Sequence, residues 1–134
     1  MQFLILLCHV LRDYIILTWL AWIAIYDIKH YLIRNIDLLA VLLLLTPNIR
    51  FSYKYALLNI SIYLTINLLV KGKIGAGDIK LSFICGLLIS SYFQLFNALS
   101  VTWIIGGFYA IFFRQSAVAF APFMIFGTYL ARIF

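Results

Sequence analysis

Lys71-Gly72-Lys73-Ile74-Gly75-Ala76-Gly77-Asp78-Ile79-Lys80 is the longest polar stretch in the chain, and long apolar runs leave it on both sides. Upstream lie runs at about 53–70, 31–47 and 1–26; downstream lie runs at about 79–96, 98–113 and 115–134. The breaks between them hold the polar and turn-forming residues. Asp27 to Arg34 separates the first two, and Pro47-Asn48-Ile49-Arg50 is a turn signal before the third. A weak break spans Tyr92 to Asn97, and Arg114-Gln115 marks the last. Arg12-Asp13 interrupts the first run, so its opening turns are expected at the membrane interface. The run Ala98 to Phe113 is short, about 24 Å as a helix at about 1.5 Å per residue, and suits snorkelling anchors or local bilayer thinning.

Of the 134 residues, 66% are hydrophobic and 10% charged. Soluble domains average roughly 45–50% apolar and about 25% charged. A water-soluble fold has no way to cover this much apolar surface, so lipid is the solvent for most of it. A span needs about 20 apolar residues. The expectation is an all-α integral membrane protein, a bundle of about six transmembrane helices forming one membrane-embedded domain over residues 1–134.

The net charge is +6, with ten Lys or Arg against four acids. These cations are scattered among apolar runs, which fits headgroup anchoring and the positive-inside bias, not nucleic acid. Lys29, Arg34, Lys71, Lys73, Lys80 and Arg114 fall on one side; Arg50, Lys54, Arg132 and Arg12 fall on the other. The first group is expected in the cytoplasm, with both termini outside. Cys8 and Cys85 form no CxxC pair, which excludes a zinc ribbon or a thioredoxin-like site. Met1 to Leu7 lacks the basic region and cleavage site of a secretory signal and is expected to be retained. His9 and His30 have no metal-ligand spacing, and Asn59-Ile60-Ser61 matches a glycosylation pattern inside an apolar run, where it has no meaning.

An acid at membrane depth is costly, so the four aspartates are the first functional candidates. Asp13 pairs with its neighbour Arg12, and Asp37 suits a helix N-terminus. Asp27 ends the first span and Asp78 begins the fourth, so two spans place them on one side at similar depth. Two carboxylates sharing a site do not both ionise easily, and one keeps a proton. On parity and charge alone two readings stand level: a catalytic pair, or two acids that cap helices and pair with nearby lysines. Gly75 and Gly77 shift the balance, because they open backbone conformations closed to other residues and let another chain approach. An extended segment there could receive an unwound substrate by strand addition.

Gly75-Ala76-Gly77-Asp78-Ile79-Lys80 resembles the GxGD-x-K signature of the type IV prepilin peptidases. Asp27 followed by Ile33-Arg34-Asn35 is similar to the family's first catalytic Asp and its downstream Ile-Pro-Asn, with Arg34 where Pro is usual. Phe120-Ala121-Pro122-Phe123 with Gly127 resembles the family's Pro-Phe-Gly-Pro-Phe stretch, with Ala119 and Ala121 replacing Pro and Gly. The three pieces follow the family's order over nearly the whole chain.

The resemblance implies an aspartyl endopeptidase that removes the basic leader of type IV prepilins or pilin-like proteins, with Asp27 and Asp78 as the catalytic pair. Gly75, Gly77, Lys80, Asn35 and Pro122 are the residues expected to meet substrate. Lys80 also suits headgroup anchoring, and Pro122 frees a backbone carbonyl or kinks its helix. No cofactor or metal is expected. With no zinc-domain insert or cysteine set, the chain resembles the short, peptidase-only branch, for which methyl transfer is not expected. The implied setting is the inner membrane, at its cytoplasmic face, with pilus assembly machinery as a partner. A small transporter or proton-conducting bundle, and a non-catalytic pilus-assembly subunit, are the rival readings of the membrane-edge acids.

Overall fold

Ile16, Leu20, Ile23 and Asp27 are the buried residues of the first helix, α1 (Gln2–His30). Their spacing of i, i+4, i+7 and i+11 is a single stripe of a 3.6-residue helix. The rest of α1 is wrapped in exposed apolar side chains, among them Leu4, Trp22 and Ile25. The computed structural model describes residues 1–46, 49–114 and 117–134, with side-chain burial given for these except 49–52. Among the described residues the chain is all helix, with no strand.

Helix α1 passes unbroken through Arg12-Asp13, whose side chains meet at 3.5 Å. It ends where Tyr31 turns left-handed at φ 51°, its N–H donating to the Asp27 carbonyl at 2.7 Å. Helix α2 (Asn35–Leu45) starts at once, from Arg34 in extended conformation. Pro47 and Asn48 of the expected turn lie outside the described residues. Helix α3 (Ile49–Leu69) follows and closes on Lys71 and Gly72, both at positive φ. Asn67 fixes the next loop, accepting from Gly72 N–H through its carbonyl at 2.8 Å and from Ile74 N–H through its side chain at 2.9 Å.

Helix α4 (Ala76–Leu87) is short, and α5 (Tyr92–Phe113) is longer than expected. The break falls at Leu88 to Ser91 instead of Tyr92 to Asn97 because Ser91 caps α5, accepting from Gln94 N–H at 3.2 Å. Gln94 returns the bond through its own side chain to Ser90 N–H at 3.0 Å, a variant of the capping box. Helix α6 (Ala121–Ile133) starts well after the apolar run that begins at 115. Of the described helices, α1 and α5 are long and apolar enough to cross a membrane.

Helix α1 packs on α2 and α6, both of which pack on α4; α3 lies against α4 and α5 against α6. Small residues permit the tight pairs. A Cβ on Gly86 of α4 would run into the backbone of Ala56 on α3, and one on Gly127 of α6 would lie 2.8 Å from the Ala98 carbonyl oxygen of α5. Such close backbone approach is the usual basis of helix association in lipid, where apolar burial gives little net drive. Asn59 is buried within α3 and donates to the Ser82 carbonyl of α4 at 2.6 Å.

Candidate active site

Asp27 is the last member of the buried α1 stripe, and Asp78 belongs to the inward face of α4 with Leu81, Ser82 and Cys85. The two carboxylates therefore converge from opposite chain directions, one at a helix C-terminal end and one at a helix N-terminal end. Both line a single cavity of about 350 Å³. Asp27 is buried and Asp78 half-buried.

The carboxylates differ in their partners. Asp27 Oδ2 accepts from the Ala121 N–H at 3.1 Å. That N–H is one of the donors that a helix N-terminus leaves without an intrahelical partner, and the helix dipole there favours an anion. Pro122 sits in the same first turn, where its missing N–H costs nothing. It opens α6, so it neither kinks a helix interior nor releases a carbonyl there. Asp78 lies in the first turn of α4, but the cap position belongs to Gly75. Among the described residues its carboxylate accepts no hydrogen bond, so capping does not account for it.

The cavity wall brings in Tyr31 and Trp103, which the sequence did not single out, together with Lys73 from the polar stretch and Phe120 from the Phe-Ala-Pro-Phe motif. Trp103 stands against Phe120 at 5.0 Å and Tyr63 at 5.9 Å between ring centroids, making one side aromatic. Lys73 is the cation on the wall. It reaches the cavity with Ile74 and Gly75, a placement that its position in the polar stretch does not by itself show.

The remaining expected site residues divide. Gly75 lines the cavity, and a Cβ there would sit 3.3 Å from Asp78 Oδ2. Gly77 faces Ile33 instead; a Cβ would lie 2.8 Å from the Ile33 Cβ. Lys80 donates to Asn35 Oδ1 at 3.0 Å, and the two line a separate cavity of about 350 Å³ with Leu38, Leu42 and Phe83. Pro122 is next to the Asp27 donor and off the cavity wall.

Asp37 stands in the first turn of α2, as expected of a helix-start acid, and it has in addition a side-chain partner in Arg34. Asp37 is buried and accepts a bidentate pair from Arg34, Nε to Oδ2 at 2.8 Å and Nη2 to Oδ1 at 3.0 Å. These hydrogen bonds raise the Arg34 guanidinium above its ordinary value. Among the described residues no group of three or more His, Cys, Asp or Glu side chains gathers to hold a metal.

A profile of the type IV leader peptidase family matches residues 14–111, which take in both aspartates and the glycine-rich loop. The chain belongs to the type IV leader peptidase family. That membership makes it a peptidase-type hydrolase with a prepilin-like protein as substrate, and with α1 and α5 able to cross a bilayer, a membrane protein. The match stops short of Phe120, so the α6 contact to Asp27 lies beyond it. No curated protein and no solved structure shows significant similarity to the chain.

Proposed function

We propose that this leader peptidase is an intramembrane aspartyl endopeptidase that removes the short basic leader of type IV prepilins or pilin-like proteins. The observation that carries the reading is the cavity shared by Asp27 and Asp78. In the reaction the ionised member of the pair takes a proton from water, and the resulting nucleophile attacks the peptide carbonyl. The protonated member donates to the developing oxyanion and then delivers a proton to the leaving amine. The water supplies the nucleophile, so the mechanism calls on no metal or cofactor, and no methyl transfer is assigned.

The α6 N-terminus holds Asp27 in place through Ala121, while Asp78 is left open toward substrate. Gly75 gives the backbone room beside Asp78, and the aromatic wall of Tyr31, Trp103 and Phe120 receives the apolar side chains that follow the leader. Gly77, Asn35, Lys80 and Pro122 support this frame. About six helices cross the inner membrane, with the acids at the cytoplasmic face beside Lys29, Lys71, Lys73 and Arg114. One membrane domain carries the activity, and pilus assembly machinery takes up its product.

The test is co-expression with a reporter that places a short basic leader ahead of an apolar helix, read by intact mass. The expected product has lost the leader at the junction with the apolar segment. A reporter that stays whole while the peptidase is present in the same membranes contradicts the proposal.

A further inference from the structure

We infer that residues 33–37 form a clasp that sets the spacing of Asp27 and Asp78, with Arg34 and Asp37 as positioning residues; the inference rests on the catalytic pair proposed above. The clasp holds α1 by two contacts. Asp37 Oδ1 accepts from Trp19 Nε1 at 3.4 Å, and the Arg34 guanidinium lies 4.7 Å from the ring centroid of Tyr26, the residue before Asp27. It holds α4 by two more. Ile33 fills the space where a Gly77 side chain would start, and Asn35 accepts from Lys80. Gly77 and Lys80 flank Asp78 in sequence, so each catalytic candidate has a clasp contact beside it.

The bidentate Arg34–Asp37 pair joins these two sets of contacts within five residues of chain. A forked guanidinium–carboxylate pair fixes direction as well as distance. It sits off the cavity that holds the aspartates, because neither residue is on that wall. Its effect on the reaction must therefore pass through Tyr26, Ile33 and Gly77. A shift of about 1 Å in a reacting group can cost about 100-fold in rate.

The backbone suggests a replacement for the ion pair. Arg34 has φ −76°, within the range that a proline ring imposes, an extended ψ of 134° that proline also adopts, and an N–H that donates no hydrogen bond among the described residues. Proline at this position would stiffen the same turn covalently. Arg34 stands where the resembled motif has proline, and the pair with Asp37 supplies the rigidity instead.

The experiment uses the full chain in nanodiscs with the leader reporter and three variants: Arg34→Ala, Asp37→Asn, and Arg34→Pro combined with Asp37→Asn. The two single variants should lose about 10- to 100-fold in kcat with little change in KM. The double variant should recover most of that loss. A second readout needs no activity: spin labels at Ile28 and Ala76, both exposed, with Cys8 and Cys85 replaced by alanine. The α1–α4 distance distribution should broaden in Asp37→Asn and narrow again in the double variant. Unchanged kcat and an unchanged distribution in Asp37→Asn overturn the clasp, as does a loss that proline fails to restore. If the wild-type chain leaves the reporter whole, the peptidase reading fails, and the distance distributions still decide the clasp.

Discussion

At Gly77 a single methyl group is the whole difference from alanine, and the place it would occupy is taken: a Cβ would lie 2.8 Å from the Ile33 Cβ. Overpacking of this kind costs about 1–3 kcal/mol. Gly77→Ala should therefore lower the melting temperature in detergent, and should impair leader removal by pushing Ile33 and the start of α4 apart. Gly107 is the control. A Cβ there meets nothing within 4 Å, and alanine gains about 0.5–1 kcal/mol over glycine inside a helix. Gly107→Ala should hold or raise the melting temperature, and a fall as large as that of Gly77→Ala would contradict the packing argument. Asp27 and Asp78 were legible at this scale because acids are so scarce in an apolar chain. The Arg34–Asp37 pair was not, although the residues are three apart. A helix N-terminus accounts for Asp37 with no further partner, so its bond to Arg34 leaves no separate mark in the sequence. Trp103 and Tyr31 were hidden for another reason, since aromatic residues are common throughout the chain and only the fold selects which of them reach the cavity.

At the scale of elements, the pairing of α3 with α4 depends on Gly86 meeting the backbone of Ala56 and on Asn59 bonding across to Ser82. The contact at Gly86 is with backbone, which has little freedom to move aside. Gly86→Leu should separate the two helices and destabilise the protein by more than Asn59→Ala. Side-chain hydrogen bonds between helices in lipid average about 0.6 kcal/mol and reach about 1.7. Unfolding followed in mixed micelles would rank the two, and equal stability losses would refute the view that close backbone approach dominates this pair. The number of helices followed from the apolar runs, but their ends did not. The start of α5 was written in Ser91 and Gln94, a cap signal inside an apolar stretch where hydropathy has no contrast. The start of α6 was written in Pro122, which belongs in a first turn, although a proline within an apolar run also suits a kink. Placing the helix start there also reveals the donor for Asp27, because the first N–H groups of a helix need partners.

For the whole molecule, the C-terminal end of α1 and the N-terminal ends of α4 and α6 meet at the two aspartates, and the start of α2 is tied to α4 beside them through Asn35 and Lys80. Alternating spans would return every second junction to the same end, and the cavity shared by Asp27 and Asp78 agrees with that expectation. Parity in the sequence carried that much, and the placement of Asp27 with Asp78 follows it. The closeness of the contacts came from side-chain packing, to which a hydropathy pattern is blind. In the proposed mechanism these two carboxylates act as one unit. The most direct measurement is the single-turnover rate of leader removal from the reporter by Asp27→Asn and Asp78→Asn, each in nanodiscs and each shown to melt as the wild type does. Loss of both members of a unit should cost no more than loss of one, so each single variant and the double variant should all fall to the uncatalysed background. Cleavage by either single variant at a rate near that of the wild type would contradict the claim.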